Sequence, residues 1–188
     1  MVEQEIPAEI REGIRAVLGL SPVPEDPLHG ENTLFWLLHL EPEAPLPLRL
    51  AALGHDIDRA IPPRTRRDRY PDYDSFKAAH ARRSAILLTT LLQGWALTRE
   101  VVSRTGELVI NHECGGDPES DLLADADSIS FFDVNLPHYL QREGWEEGLR
   151  RARWGWQRLS PRGKEAVGRL RHRARSLNQL LDLVRGAG

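Results

Sequence analysis

A histidine and an aspartate stand side by side at His55 and Asp56, directly after an apolar run. A charged pair at the end of an apolar helix gains nothing from packing and needs a partner if it is buried. A metal ion is such a partner. Imidazole nitrogen together with carboxylate oxygen suits Zn, Mn, Fe or Ni better than calcium, which prefers oxygen ligands. Taken alone, the doublet is equally compatible with a helix cap or a surface pair.

Further histidines and aspartates flank the doublet along the chain. His29 precedes it, His80 and His112 follow it, and Asp127 lies within a later apolar stretch. Each of these residues falls on a different predicted helix, which makes the set far more specific than the doublet alone. The single cysteine, Cys114, excludes a cage built from thiolates. Any bound metal must therefore be held by histidine and carboxylate.

This order of residues resembles the HD superfamily of metal-dependent phosphohydrolases, and a closer resemblance to an uncharacterised HD-like family within it covers nearly the whole chain. The resemblance implies one or two divalent transition metal ions, drawn from Mn, Fe, Ni, Co and Zn. It also implies a first metal site of four ligands and a second site that shares Asp56 as a bridge. The first set is His29, His55, Asp56 and Asp127, and the second adds His80 and His112.

The final ligand has two candidates, Asp125 and Asp127, which lie two residues apart on a predicted helix and therefore point in nearly opposite directions. Asp127 is preferred, because Ile129, Phe132 and Leu136 follow it in the register that usually follows the last aspartate of the superfamily. Asp125 remains the alternative. If it is not a ligand, it either orients a histidine or lies on the helix surface.

The sequence departs from the superfamily pattern after the doublet. Ile57, Asp58 and Arg59 stand where many members have an apolar residue, glycine and lysine. Arg59 can replace the lysine as a phosphate contact, whereas Asp58 adds a negative charge that opposes phosphate unless it faces away or binds a cation. The signature of cyclic dinucleotide phosphodiesterases is absent around His112, which disfavours that substrate class.

Candidate catalytic and substrate-binding residues are the charged side chains near these histidines. Cations can hold a phosphate, and a carboxylate can relay a proton as general acid or base. The catalytic candidates are Asp58, Glu113 and Arg59, and the substrate-binding candidates are Lys77, Arg83 and Arg66. Arg66 belongs to a basic loop cluster that is either a solvated surface or a means of steering an anionic substrate.

The resemblance implies hydrolysis of a phosphoester, with a nucleotide or another small phosphorylated metabolite as the substrate. Metal-activated water would be the nucleophile. Two alternatives stay open. The same ligand order serves HD-type di-iron oxygenases, and a non-catalytic HD protein could retain the metal for structure or for sensing a ligand.

Apolar residues recur at helical spacing through almost the whole chain, and no alternation typical of strands has useful length. The fold prediction is an all-α, HD-type helical bundle of about seven to nine helices. One domain is expected over residues 1–188, with an N-terminal helix in 1–20 and a metal-site core in 28–137. Two further helices within 145–185 should pack on that core, with Trp154 and Trp156 as core or interface anchors.

Composition limits the partners. The net charge of −3 comes from interspersed acids and bases, so no specific nucleic-acid binding is expected, and a homodimer is possible. No stretch approaches the roughly 20 apolar residues of a membrane span, and the N-terminus lacks the apolar core of a signal peptide. A cytoplasmic protein without membrane contact is the simplest expectation.

Overall fold

All the regular structure is helical. The computed structural model of the protein describes residues 5–186, and within that range the chain forms helices and no strand. The α-helices are α1 (Ala8–Leu18), α2 (Asp26–Leu40), α3 (Leu46–Gly54), α4 (Tyr73–Leu92), α5 (Arg99–Asn111), α6 (Pro118–Ser130), α7 (Leu136–Glu143), α8 (Trp145–Arg158), α9 (Pro161–Arg169) and α10 (Arg175–Arg185). Short 3₁₀ turns span Ile57–Ala60 and Arg67–Arg69. The all-α prediction is confirmed.

Four helices begin at a side chain that accepts hydrogen bonds from the first turn. Asp72 Oδ1 accepts from Ser75 N at 2.6 Å before α4, and Thr98 precedes α5 in the same way. Asp117 caps α6, and Ser160 caps α9. These caps satisfy backbone N–H groups that have no partner inside the helix. They help to define where α4, α5 and α6 begin, and these three helices carry several candidate residues.

Helix α3 lies at the centre of the fold. Every residue from Leu48 to Gly54 is buried, and the helix contacts α1, α2, α5 and α6. A helix that is buried on all sides is a core helix rather than a surface one. His55 and Asp56 directly follow its last residue, so the central position of α3 carries both into the interior, where both are buried.

Helices α2 and α3 approach each other closely at Gly30. A Cβ atom placed on Gly30 would lie 2.5 Å from the carbonyl oxygen of Leu53, so only glycine fits at this position. Gly30 follows His29 in the chain, and Leu53 stands two residues before His55. The close approach therefore brings these two histidines towards each other.

A π-helical turn over Phe131–Asn135 joins α6 to α7. Although a proline inside a helical pattern usually ends the helix, the helical path here continues past Pro137 to Glu143. Pro137 has no N–H to donate, and it falls at the start of α7, where a missing donor is tolerated. Because α6, the π turn and α7 run without a break, residues 5–186 form nine separate α-helical segments, within the predicted range.

The C-terminal region forms three helices, α8 to α10, rather than the two predicted. Ser160 precedes Pro161 and has an extended backbone, which ends the helical path between α8 and α9. The backbone is extended again at Leu170 and at Ala174, and no helix forms between them. Helix α8 packs against α6 and α7, and α10 packs against α8. No helix in the described range has the length and apolar character needed to cross a membrane.

Candidate metal centre

Three side chains from separate helical elements meet in the interior. His29 comes from α2, His55 follows α3, and Asp127 comes from α6. The Nε2 atoms of the two histidines lie 3.2 Å apart, and Asp127 Oδ1 lies 3.0 Å from His29 Nε2 and 3.5 Å from His55 Nε2. The three donor atoms lie within 4.8 Å of one another, a spacing at which one ion can contact all of them.

The hydrogen bonds on the far side of each ring decide which nitrogen carries the proton. His55 Nδ1 lies 3.0 Å from the carbonyl oxygen of Ala52, which can only accept. Ser130 Oγ donates to the carbonyl oxygen of His29 and accepts from His29 Nδ1 at 2.9 Å. In both rings Nδ1 therefore carries a proton, and Nε2 is the nitrogen that faces the cluster. This is the tautomer in which histidine binds a metal through Nε2.

A second group of donors shares His55 with the first and adds Asp56 and His112, again with donor atoms within 4.8 Å of one another. His112 follows α5 and donates from Nδ1 to the carbonyl oxygen of Val109 at 2.6 Å. Its Nε2 atom is buried and has no hydrogen-bond partner among residues 5–186. A buried lone pair without a partner is costly, and a cation would satisfy it.

Asp56 stands between the histidines and a fourth ring, that of His80 on α4. Its Oδ1 lies 2.8 Å from His80 Nε2, and its Oδ2 lies 2.8 Å from Arg59 Nη1 and 3.6 Å from His29 Nε2. His80 is not a member of either three-donor group. The structure thus brings His80 next to Asp56, the residue that the resemblance implies as the bridge between two metal sites.

The cluster concentrates negative charge that requires positive charge nearby. Burial alone would raise the pKa of Asp127, yet hydrogen bonds from His29 and His55 hold that pKa well below its usual range. Burial would likewise lower the pKa of His55, but the Asp56 and Asp127 carboxylates raise it to about 9. A proton on His55 therefore offsets part of the charge of the two carboxylates. These histidine and aspartate groups could hold a metal ion in the same place.

Asp125 points away from this cluster. It accepts hydrogen bonds from the backbone N–H of Ser160 at 2.9 Å and from the hydroxyl of the same residue. It therefore anchors the start of α9 to α6. Asp127 faces the histidines. Two residues that are two positions apart on a helix point in nearly opposite directions, so only one of the two aspartates can reach the cluster.

Asp58 and Arg59 have different surroundings although they are neighbours in the chain. Asp58 is buried and accepts from His80 Nδ1 at 2.9 Å, and its Oδ1 forms an ion pair with Arg83, whose Nε lies 2.9 Å away. Arg59 Nη1 lies 2.9 Å from Asp26 Oδ1 and 2.8 Å from Asp56 Oδ2, so two carboxylates fix its guanidinium. The negative charge of Asp58 is therefore directed at a histidine and an arginine rather than at the opening of the site.

Glu113 forms a buried network on the other side of the histidines. It pairs with Lys77, and Arg158 Nη1 lies 3.2 Å from Glu113 Oε2. Glu113 Oε1 also lies 3.2 Å from His112 Nε2. Burial would raise the pKa of Glu113, but the positive charge of Lys77 and the contact with His112 lower it far below its usual value. The carboxylate therefore stays ionised.

Two of the candidate substrate-binding residues lie elsewhere. Arg83 donates to the carbonyl oxygens of Pro63 and Ile61 in addition to its contact with Asp58. Arg66 lies on the surface and pairs with Asp68. Neither lines the openings above the histidines, whereas Arg59 and Lys77 do.

A family model described as "Domain of unknown function (DUF4202)" matches residues 14–180, which is most of the chain. The chain belongs to the DUF4202 family. All the histidines and aspartates of the cluster fall within the matched residues. The matched range also covers nearly all of the C-terminal helices of this DUF4202 chain.

The DUF4202 chain is also similar to the CC-adding tRNA nucleotidyltransferase of Thermus thermophilus. The two are 34% identical over 130 residues, which is 63% of this chain and 29% of the relative. The match thus covers less than a third of that enzyme. No solved structure matches the chain.

Sequence reasoning missed the part that α8 plays in this DUF4202 chain. Arg151, Trp154 and Arg158 line a narrow cleft of about 40 Å³ above His29 and Asp127. Arg151 and Trp154 also line an adjoining cavity of about 530 Å³. The three residues stand at positions i, i+3 and i+7, which places them on one helix face. That spacing was visible in the sequence, but it does not reveal what the face packs against.

Proposed function

We propose that this chain is an HD-type metal-dependent phosphohydrolase that cleaves a nucleotide or another small phosphoester. The observation that carries the proposal is a buried group of four histidines around Asp56 and Asp127, in which three rings use Nδ1 in other hydrogen bonds and direct Nε2 inward. Their order along the chain is the order that the resemblance implies. Cationic side chains at the opening of the group support an anionic substrate.

We assign the ligands in two sets. One ion would be held by His29, His55, Asp56 and Asp127, and a second by Asp56 with His80 and His112. A divalent transition metal bound there supplies Lewis acidity, which activates water and neutralises charge on a phosphoryl oxygen. Asp125 stays outside both sets because Ser160 already binds its carboxylate.

The side chains around the ligands have separate roles in this proposal. Arg59 and Lys77 line the opening and attract a phosphate, and Arg59 also keeps Asp56 in place. Asp58 acts as a positioning residue, because it accepts from His80 Nδ1 and so turns His80 Nε2 towards Asp56. Glu113, between His112 and Lys77, is held ionised and would keep both of these side chains in position.

The Thermus relative supports the choice of substrate. Its name describes a nucleotidyltransferase, and 63% of this chain aligns with part of it. We extend only the binding of a nucleotide from the relative to this chain, and not the nucleotidyl transfer reaction. The cavity of about 530 Å³ beside the metal ligands is within the usual size range of small-molecule sites.

The first test is a metal analysis of protein purified without chelator, followed by hydrolysis assays. Bis-p-nitrophenyl phosphate, p-nitrophenyl phosphate and a set of nucleoside monophosphates would be offered with Mn, Co or Ni. We expect bound metal, turnover of at least one ester, and loss of both after chelation. Iron with a mixed-valence signal and oxygen uptake would replace the proposal by the oxygenase alternative. Bound metal without turnover of any ester would favour the non-catalytic alternative.

A further inference from the structure

Helix α8 presents two cations and an indole to the cleft above the metal ligands. Arg151, Trp154 and Arg158 share one face of the helix, and all three line the cleft together with His29 and Asp127. The Arg151 and Arg158 guanidinium carbons lie 4.2 and 4.4 Å from the Trp154 ring centroid. Both arginines therefore pack on the indole, which limits their freedom of movement.

Four cationic side chains line this cleft, and three of them are neutralised by carboxylates. Arg59 is paired with Asp26 and Asp56. Lys77 and Arg158 are both paired with Glu113. The fourth, Arg151, forms no ion pair with any residue between 5 and 186.

The Arg151 guanidinium is held in place by aromatic rings, but one of its nitrogen atoms has no hydrogen-bond acceptor. It lies over the ring of Phe131, with 4.8 Å to the centroid, and over the ring of Trp154. Its Nη1 atom is buried and has no hydrogen-bond partner in the described part of the chain. Burying a charged donor without an acceptor is costly, so a site that fixes such a donor is suited to an incoming anion.

The adjoining cavity supplies room for the rest of a ligand. Arg151 and Trp154 lie on its wall, and the other aromatic rings there are those of Tyr73, Phe76, Phe131 and Tyr139. The Tyr73 and Trp154 rings pack edge to face, with 5.5 Å between their centroids. A wall of rings beside a fixed guanidinium favours a ligand that joins a flat ring to an anionic group.

We propose that Arg151 binds the phosphate of the substrate and that the aromatic cavity binds a flat ring attached to that phosphate. This inference rests on the proposed function and deepens it, because it names the substrate class as phosphate esters of ring-bearing molecules. Helix α8 thereby provides half of the substrate site, and the histidine cluster provides the other half.

The test measures binding rather than turnover. The probes are two hydrolysis-resistant phosphonates, the analogues of AMP and of ribose 5-phosphate, which share the anionic group and differ in the flat ring. Isothermal titration would be run on chelator-treated protein and on protein supplied with Mn. We expect the AMP analogue to bind at least about tenfold more tightly than the ribose 5-phosphate analogue, since base stacking on aromatic side chains contributes substantially to the binding free energy.

Variants of α8 separate the roles of its arginines. Arg151→Gln should weaken both analogues by about tenfold or more, because charge-assisted hydrogen bonds are the strong ones. Arg151→Lys should lose less affinity than Arg151→Gln, since lysine keeps the positive charge but lacks the paired N–H donors of the guanidinium. Arg153→Gln is the matched control, because Arg153 is exposed on another face of the same helix. Circular dichroism would verify that each variant is folded.

Each outcome decides a different part of the proposal. Unchanged binding in folded Arg151→Gln, or no binding of either analogue to wild type in both forms, overturns the role of Arg151. Equal affinity for the two analogues overturns the aromatic cavity as the ring site. Binding that depends on Arg151 in a protein that hydrolyses no ester would refute the proposed function and leave this inference intact.

Discussion

The Nε2 atoms of His29 and His55 lie 3.2 Å apart in the interior although 26 residues separate the two in the chain. Each ring uses its Nδ1 proton in a hydrogen bond on the opposite side, to Ser130 Oγ or to the carbonyl oxygen of Ala52. The two Nε2 atoms therefore face one another across a short gap beside Asp127. A proton or a metal ion between them removes the repulsion that two lone pairs would exert there.

Removing either member of the doublet should abolish metal binding. His55→Ala and Asp56→Ala each delete a central donor, so the remaining ligands cannot hold the ion, whereas the helical fold should persist. Metal content by mass spectrometry and helicity by circular dichroism would be compared with His138→Ala, a variant at an exposed histidine. Wild-type metal content in both doublet variants would show that the ligand assignment is wrong.

Substitution of the two aspartates of α6 should have different effects on metal binding and on stability. Asp127→Asn removes a charge next to His29 and His55 and should cost metal affinity far beyond the roughly 10- to 100-fold typical of an indirect contact. Asp125→Asn weakens the contact with Ser160 and should keep the metal but lower the Tm by about 2 to 4 °C. The opposite pattern, with metal lost only in Asp125→Asn, would transfer the ligand role to Asp125.

The number of ions should depend on His80 and His112. If both help to bind a second ion that shares Asp56, replacing either one with Ala should lower the metal stoichiometry from two per chain to one. Hydrolysis should also fall strongly, because a paired site stabilises both the attacking and the leaving oxygen. Equilibrium dialysis with excess Mn measures the stoichiometry. A wild-type protein that saturates at one ion would exclude the binuclear assignment.

Asp58 should affect the metal through His80. Asp58→Asn weakens the hydrogen bond that orients His80 and should lower affinity for the second ion by about 10- to 100-fold while leaving the first ion bound. Asp68→Asn serves as the control, because that carboxylate lies on the surface beside Arg66. If Asp58→Asn lowers the affinity for both ions equally, or for neither ion, Asp58 does not act as a positioning residue for His80.

A pH-dependent contribution to stability is expected from Glu25 and Arg142, whose side chains lie 3.0 Å apart. Burial alone would raise the pKa of Glu25, but a backbone hydrogen bond and the Arg142 guanidinium bring it below its usual value. A lowered acid pKa stabilises the fold above the unfolded pKa of about 4.3, and this contribution disappears as the pH falls through the folded value. Arg142→Gln should therefore lower the Tm at pH 7, and the difference from wild type should shrink below about pH 4. A difference that stays constant with pH would assign the effect to packing.

The order of histidines and aspartates, with the family resemblance that it carries, was enough to predict which side chains form a buried cluster that could hold a metal ion. The role of Asp58 was not predictable from its position, since its partners His80 and Arg83 lie more than 20 residues away along the chain. Arg151 was missed for a similar reason. Its helix face is visible in the sequence, but packing decides whether that face meets solvent or the cleft.

The contact between Gly30 and the carbonyl oxygen of Leu53 has a consequence for ion selection. Main-chain atoms, which cannot change rotamer, set the separation of α2 and α3 at this point, immediately beside His29 and His55. The backbones that carry the two imidazoles can therefore separate or approach only if whole helices shift, and the buried surroundings of α3 resist such a shift. We expect the pair to discriminate by ionic radius, accepting small transition-metal ions and rejecting larger ones such as Cd²⁺.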